Sequence, residues 1–263
     1  MKQTCYRNSV ACAAGLALLV LAGAGLAEPS GQGASFVDDF DRLDKKRWYI
    51  SDGWTNGDHQ NCTWSAGQVK VADGALRLSF VRRPAGDRSF ACGEVQTKQR
   101  FGYGTYEARM KAVGRSGFNT AFFTYIGPVN KQPWHEIDFE VLGKDPSRVQ
   151  LNQFVDGKGG NEKLVGVPGG ADRGFHDYAF VWEKERLRYY VDHVLVQTVR
   201  DPQKLPSRAM KIFFSLWAGE TNPGWLGPFS APGEPVEAVI TRLSYTAPGD
   251  PCLYPASLVC RLN

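Results

Sequence analysis

Apolar and polar residues alternate one for one along much of this chain. Ala75-Leu76-Arg77-Leu78-Ser79-Phe80, Gly104-Thr105-Tyr106-Glu107-Ala108-Arg109-Met110, Thr120-Ala121-Phe122-Phe123-Thr124-Tyr125, Tyr178-Ala179-Phe180-Val181-Trp182 and Lys211-Ile212-Phe213-Phe214-Ser215-Leu216-Trp217 are the clearest runs. A period of two places alternate side chains on opposite faces of an extended strand, and β-branched and aromatic residues favour that state. Gly and Pro, 29 and 15 of the 263 residues, punctuate the runs. Arg186 to Val199 reads as a hairpin turning at Asp192-His193. No long stretch keeps a helical period and no internal repeat is present. The pattern predicts an all-β sandwich with few helices.

One run differs in what its polar face carries. In Trp134-His135-Glu136-Ile137-Asp138-Phe139-Glu140-Val141-Leu142-Gly143, the apolar Ile137, Phe139 and Val141 alternate with three acids. As a strand this segment turns Glu136, Asp138 and Glu140 to one side, with same-face neighbours about 6.5–7 Å apart. Three like charges in register repel, so at least one carboxyl should hold its proton above the usual range. Hydrolysis of a glycosidic bond with retention needs such a pair: an ionised carboxylate as nucleophile and a protonated carboxyl as acid/base, about 5–5.5 Å apart. Glu136 and Glu140 can lean together to that distance, with Asp138 sharing a proton or hydrogen bond with either. His135 falls with Ile137 and Phe139 on the opposite face, as a core or strand-end residue. His59, His176 and His193 have no triad spacing, and no Gly-x-Ser-x-Gly elbow or phosphate loop occurs.

The N-terminus changes the picture of where this chemistry takes place. Lys2 and Arg7 precede an apolar run from Val10 to Leu26, and Gly25-Leu26-Ala27 has the small-x-small form of a cleavage site. Residues 1–27 therefore read as a secretory signal peptide cut before Glu28, giving a secreted chain with no membrane association after processing. Residues 28–35, rich in Gly, Ser and Pro, read as a flexible lead-in, and the domain proper as 36–248. Charge is nearly balanced, with 31 Lys and Arg against 27 Asp and Glu. That balance does not suggest a nucleic-acid partner. Downstream of the signal four cysteines remain, Cys62, Cys92, Cys252 and Cys260, with three possible pairings. Neighbouring pairs are the simplest, and no Cys-x-x-Cys spacing suggests zinc.

The Glu-Ile-Asp-Phe-Glu strand, with Trp134 before it and Leu142-Gly143-Lys144-Asp145 after it, resembles the active-site strand of the family 16 glycoside hydrolases. The similarity is greatest to the bacterial β-1,3-1,4-glucanases (lichenases) and extends to the rhizobial exopolysaccharide glycanases. It runs from about Ser51 to Thr246 and implies a β-jelly-roll sandwich with a concave substrate cleft. It implies Glu136 as nucleophile, Glu140 as acid/base and Asp138 as an assisting residue. Sugar contacts are implied for Trp54 and Asn56 in Ser51-Asp52-Gly53-Trp54-Thr55-Asn56-Gly57, for Glu94, and for Phe123 and Tyr125 in Phe122-Phe123-Thr124-Tyr125-Ile126-Gly127-Pro128. Trp134, Trp217 and Trp225 coincide with cleft tryptophans, and flat apolar rings suit pyranose faces. The resemblance also implies a Cys62–Cys92 bridge, leaving Cys252 and Cys260 to close a small loop in a C-terminal extension, 249–263, that it does not reach.

Departures gather where the polymer would bind. Gln96 stands where lichenases have Arg, Ser215 where they have Asn, and Asp58-His59-Gln60 replaces a more apolar stretch. The family's structural Ca²⁺ uses an Asp where this chain has Thr241, which weakens that site; no cofactor is required. The expected activity is that of a monomeric retaining endo-β-glucanase with a polysaccharide substrate. That substrate would be mixed-linkage β-glucan or a bacterial exopolysaccharide of succinoglycan type. A transglycosylase of the same family, or a non-catalytic carbohydrate-binding jelly roll, is the alternative; the second has no use for three same-face acids.

Overall fold

The computed structural model describes residues 33–262; the signal segment 1–27 and most of the lead-in lie outside the described residues. The chain runs through β1 (Phe36–Asp38), β2 (Trp48–Ile50), β3 (Cys62–Trp64), β4 (Val69–Ala72), β5 (Ala75–Val81), β6 (Phe90–Thr97), β7 (Gly104–Lys111) and β8 (Phe118–Ile126). It continues with β9 (His135–Leu142), β10 (Arg148–Val155), β11 (Lys163–Gly166), β12 (His176–Trp182), β13 (Leu187–Val191), β14 (Val194–Val199), β15 (Lys211–Ala218) and β16 (Val236–Thr246). The α-helix among the described residues is a single turn, α1 (Pro223–Leu226). The fold is all-β, as the alternation predicts, and each of the five clearest runs falls within a strand.

The strands form two layers. One carries the order β11-β10-β9-β8-β15-β6, with β2 on the far side of β6. The other carries β14-β13-β12-β7-β16-β5, with β1 on β16 and β4 on β5. The layers share β6, whose first half pairs with β5 through Ala91 and Cys92 while Gly93 to Gln96 pair with β15. At the changeover a Cβ on Gly93 would come within 2.5 Å of the Gln68 carbonyl, so only glycine admits this close approach. The space between layers is aromatic: Phe122 and Phe139 stack at 6.1 Å, Phe122 meets Phe180 at 5.8 Å, and Phe139 meets Tyr189 edge-on at 5.4 Å. All four are fully buried.

The two ends of the domain are tied to this sandwich. Ser35 accepts from the Ala247 amide at 2.8 Å and donates to Asp250, and a Cβ on Gly33 would clash with the Phe101 ring. Of the lead-in expected over 28–35, residues 33–35 fall among the described residues, and Gly33 and Ser35 are packed or hydrogen-bonded there. The extension after residue 248 lies against β7. Buried Glu107 accepts from the Ser257 hydroxyl and the Leu258 amide, both at 2.6 Å, and Arg242 sits 4.4 Å over the Tyr254 ring. Two disulfides form, Cys62–Cys92 and Cys252–Cys260.

The first of these closes a 30-residue separation that ends at the changeover in β6. Loop entropy gives such a bridge roughly 3–4 kcal/mol. Cys62→Ser with Cys92→Ser is expected to lower the melting temperature by several degrees, measured by calorimetry, and to leave the pH optimum in place. An unchanged melting temperature would show that the bridge adds nothing to stability.

Candidate active site

The site is built from strand alternation repeated across five adjacent strands. On β9 the odd positions Ile137, Phe139 and Val141 are fully buried in the interlayer core, which forces Glu136, Asp138 and Glu140 to the outer face. Pairing extends this into rows across the sheet. Glu136 lies between Tyr125 and Phe154, Asp138 between Phe123 and Asn152, and Glu140 between Ala121 and Gln150. Continuing through β15 and β6, Phe123 pairs with Phe213 and then Gln96, while Ala121 pairs with Ser215 and then Glu94. The face is the floor of an open cleft of about 1150 Å³.

Every residue singled out for sugar contact lines this cleft: Trp54, Asn56, Glu94, Phe123, Tyr125, Trp134, Trp217 and Trp225, together with the three acids. Trp54 and Trp134 remain more than a third exposed, as platforms for a ligand need to be, whereas Trp217 is nearly buried. Trp217 and Trp225 lie 6.0 Å apart, and His59 meets Trp217 edge-on at 5.4 Å.

The three carboxyls have different partners. Trp134 donates its indole N–H to Glu136 Oε2 at 2.5 Å. Glu140 is gripped by two amides, Asn119 Nδ2 to Oε1 at 2.7 Å and Gln150 Nε2 to Oε2 at 3.0 Å. Gln150 is oriented in turn, because its Oε1 accepts from the Trp225 indole at 3.1 Å. Asp138, 3% exposed, holds its proton far above the usual carboxyl range, first through burial and then through the charges of Glu136 and Glu140; its carboxyl hydrogen-bonds to Glu136. Glu136 and Glu140 are also pushed upward, again chiefly by burial, against which the Trp134, Asn119 and Gln150 donors work. The alternation predicts a rise from like-charge repulsion; burial in the cleft floor is the larger cause.

Several cleft residues escape a reading of the sequence. Gln150 and Asn152 alternate with Val149 and Leu151 as the acids do with their neighbours, and that signal was available. Phe154, stacked on Trp134 at 4.8 Å, and Tyr49, Glu162, Lys211 and Phe213 depend on which strands are neighbours, as does the fully buried Asn119 that reaches Glu140. Lys211 matters for the departure at Gln96, since its Nζ donates to Gln96 Oε1 at 2.8 Å. A cation from β15 thus reaches the position where the resemblance lacks its Arg. Gln60, in the other departing stretch, is buried and donates to the Cys62 carbonyl at 2.8 Å. It holds the loop carrying Trp54 and Asn56, whose backbone amide reaches Gln60 Oε1 at 3.4 Å.

Comparison with known proteins decides the family. The model of the glycosyl hydrolases family 16 matches residues 56–231. The chain belongs to glycoside hydrolase family 16. It is 58% identical over 229 residues to the endo-1,3-1,4-beta-glycanase ExoK of Rhizobium meliloti, a match covering 87% of this chain and 85% of that protein. With the beta-glucanase of Bacillus subtilis it shares 40% identity over 199 residues, 75% of this chain and 81% of the other. The beta-glucanase structure from Bacillus licheniformis superposes with a TM-score of 0.78 at 37% identity, covering 82% of this chain and 99% of that one. This family 16 chain is a glycoside hydrolase with the family's jelly-roll fold.

Glu94 offers a test of the cleft's electrostatics that is independent of catalysis. It is 2% exposed and its pKa is pushed up to about 8 by burial, opposed by the Ser51 hydroxyl donating at 2.6 Å. A carboxyl raised in the folded state stabilises the fold fully below its unfolded pKa, and that contribution is lost as pH rises through about 8. Glu94→Gln is expected to melt higher than the parent at pH 9 by a margin of about 1–3 kcal/mol. The difference should shrink toward pH 5, and thermal melts across that range check it.

Proposed function

We propose that the protein is a secreted, retaining endo-β-glucanase that cleaves internal β-1,4 or β-1,3 glucosyl linkages by double displacement. Glu136 is the nucleophile, Glu140 the acid/base and Asp138 the residue that keeps Glu136 charged. The observation that carries this reading is the row of three carboxyls, Asp138 buried and Glu136 and Glu140 half-buried, in a ring-lined cleft with unequal hydrogen-bond partners. Trp134 and Asp138 both donate toward Glu136 and so favour its charged form, the form a nucleophile needs, against the burial that pushes it up to about 8 and Glu140 to about 7. Glu140 meets two neutral amides, an environment suited to a group that both gives and takes a proton.

In the first step a Glu136 oxygen bonds to the anomeric carbon while the glycosidic C–O bond breaks, and the departing oxygen takes the Glu140 proton. In the second, water attacks the same carbon, gives its proton to Glu140 and releases Glu136. Trp54, Trp134, Tyr125, Phe123 and Trp217 offer ring faces to successive sugars, and Asn56 and Glu94 offer hydrogen bonds. The relatives named for endo-1,3-1,4-beta-glycanase and beta-glucanase activity support this substrate class. Two disulfides support export, since such bridges persist in oxidising compartments. Thr241, at the place of the family's calcium carboxylate, turns its hydroxyl to the Arg109 carbonyl at 3.4 Å; it does not fit that ligand's role, and no step uses a metal.

The substrate follows from the departures. Gln96, Ser215 and the Asp58–Gln60 stretch alter the binding floor and leave the acid row intact, which favours a mixed-linkage or branched β-glucosyl polymer over plain cellulose or agarose. Lichenan, laminarin, cellulose, agarose and an acidic succinylated exopolysaccharide, followed by viscosity and new reducing ends, rank these candidates. Product analysis with excess oligosaccharide acceptor separates hydrolysis from transglycosylation. For the roles, Glu136→Ala is expected to abolish turnover of an activated β-glycoside, and added azide to restore it with an α-glycosyl azide as product. A β-azide would exchange the roles of Glu136 and Glu140, and absence of cleavage of any β-glucosyl polymer would favour a binding module.

A further inference from the structure

Asn119 sits on β8 with no exposed surface, two residues before Ala121, which is the direct cross-strand partner of Glu140. Its Nδ2 reaches diagonally to Glu140 Oε1 at 2.7 Å, while its own Oδ1 is buried with no hydrogen-bond partner. An orphaned amide oxygen buried beside a carboxyl is costly unless it has a use elsewhere in the cycle. The second amide on Glu140 has no such freedom: Gln150 is fixed as a donor because its oxygen is taken by Trp225.

An acid/base carboxyl needs different partners in its two states. As a carboxylate, Glu140 can accept from both amides; as an acid, one oxygen carries a proton and needs an acceptor when it is not facing substrate. A half-turn of the Asn119 amide brings Oδ1 to where Nδ2 stands, and the same 2.7 Å separation serves either direction of the hydrogen bond. We propose that Asn119 is a positioning residue for Glu140: its amide donates to Oε1 when the carboxyl is ionised and turns over to accept the proton when it is not. The inference rests on the acid/base reading of Glu140. The charged or titratable groups facing Glu140 are Glu136 and Asp138 on its own strand and Glu162 before β11. β8 presents Asn119 and Ala121, β10 Gln150 and α1 Trp225, none of them charged.

The test compares Asn119→Val, Asn119→Ser and Glu140→Ala on two substrates of the same glycone. One has a sugar leaving group and the other 2,4-dinitrophenolate, which departs without a proton. Thermal melts check that each variant is folded, and Asn119→Ser serves if the branched valine disturbs the floor. Loss of Asn119 is expected to lower kcat/KM about ten-fold on the sugar leaving group and less than about three-fold on the dinitrophenyl glycoside. The alkaline limb of the sugar-substrate profile should move upward, because a donor to a charged oxygen is worth more than an acceptor from a neutral one. Equal losses on the two substrates, or an unmoved alkaline limb, would make Asn119 a packing residue only. Glu140→Ala must itself spare the dinitrophenyl glycoside; if it does not, the acid/base reading fails and takes the proposal with it.

Discussion

The structure depends on one strand being asked to do two incompatible things. β9 lies inside its sheet between β8 and β10, so its apolar side chains complete the core between layers and its acids have no route to bulk solvent except through the cleft. Moving the register by one residue would bury three carboxyls in an aromatic core and expose Phe139, which no compensating contact could offset. The register is fixed by this penalty. The same pairing that fixes it then delivers Tyr125, Phe123, Gln150, Asn152 and Phe154 beside the acids.

The alternation and the acid row were legible in the sequence because they are local: period, face and charge follow from consecutive residues. The jelly-roll topology, the Cys62–Cys92 pairing and the cleft aromatics came through resemblance, which carries information about distant pairing that periodicity lacks. What remained hidden is long-range. Lys211 reads as the polar start of a strand, and only β15 lying beside β6 turns it toward Gln96. Asn119 reads as a polar residue in an apolar run; its meaning appears once β8 and β9 are paired and the diagonal to Glu140 is known. Burial as the leading cause of the raised carboxyls was hidden for the same reason, since desolvation is set by the whole cleft.

His135 shows the local rule working at the edge of the site. Strand parity sends it away from the acids, and it is buried there, its Nδ1 accepting from the Ser207 amide at 3.2 Å and its Nε2 3.3 Å from Asp156. Accepting a backbone N–H requires a neutral ring, and burial lowers its pKa accordingly. The residue beside Glu136 in sequence therefore pins the Ser207 segment to the start of the strand and takes no proton from the cluster.

Burial acts on acid and base alike in the cleft floor. It pushes Asp138 well above the usual carboxyl range and Glu94 up to about 8, and so favours the protonated form of each. Burial lowers the pKa of Lys211, with Arg100 adding to the effect, and Lys211 already spends a hydrogen on Gln96. Desolvation thus works against charge of either sign in this floor and leaves ring faces and hydrogen-bonding groups as its main surface features. On the proposed reading, discrimination among polymers rests with Gln96, Ser215 and Asp58–Gln60, which depart from the family pattern in the same floor whose acid row does not.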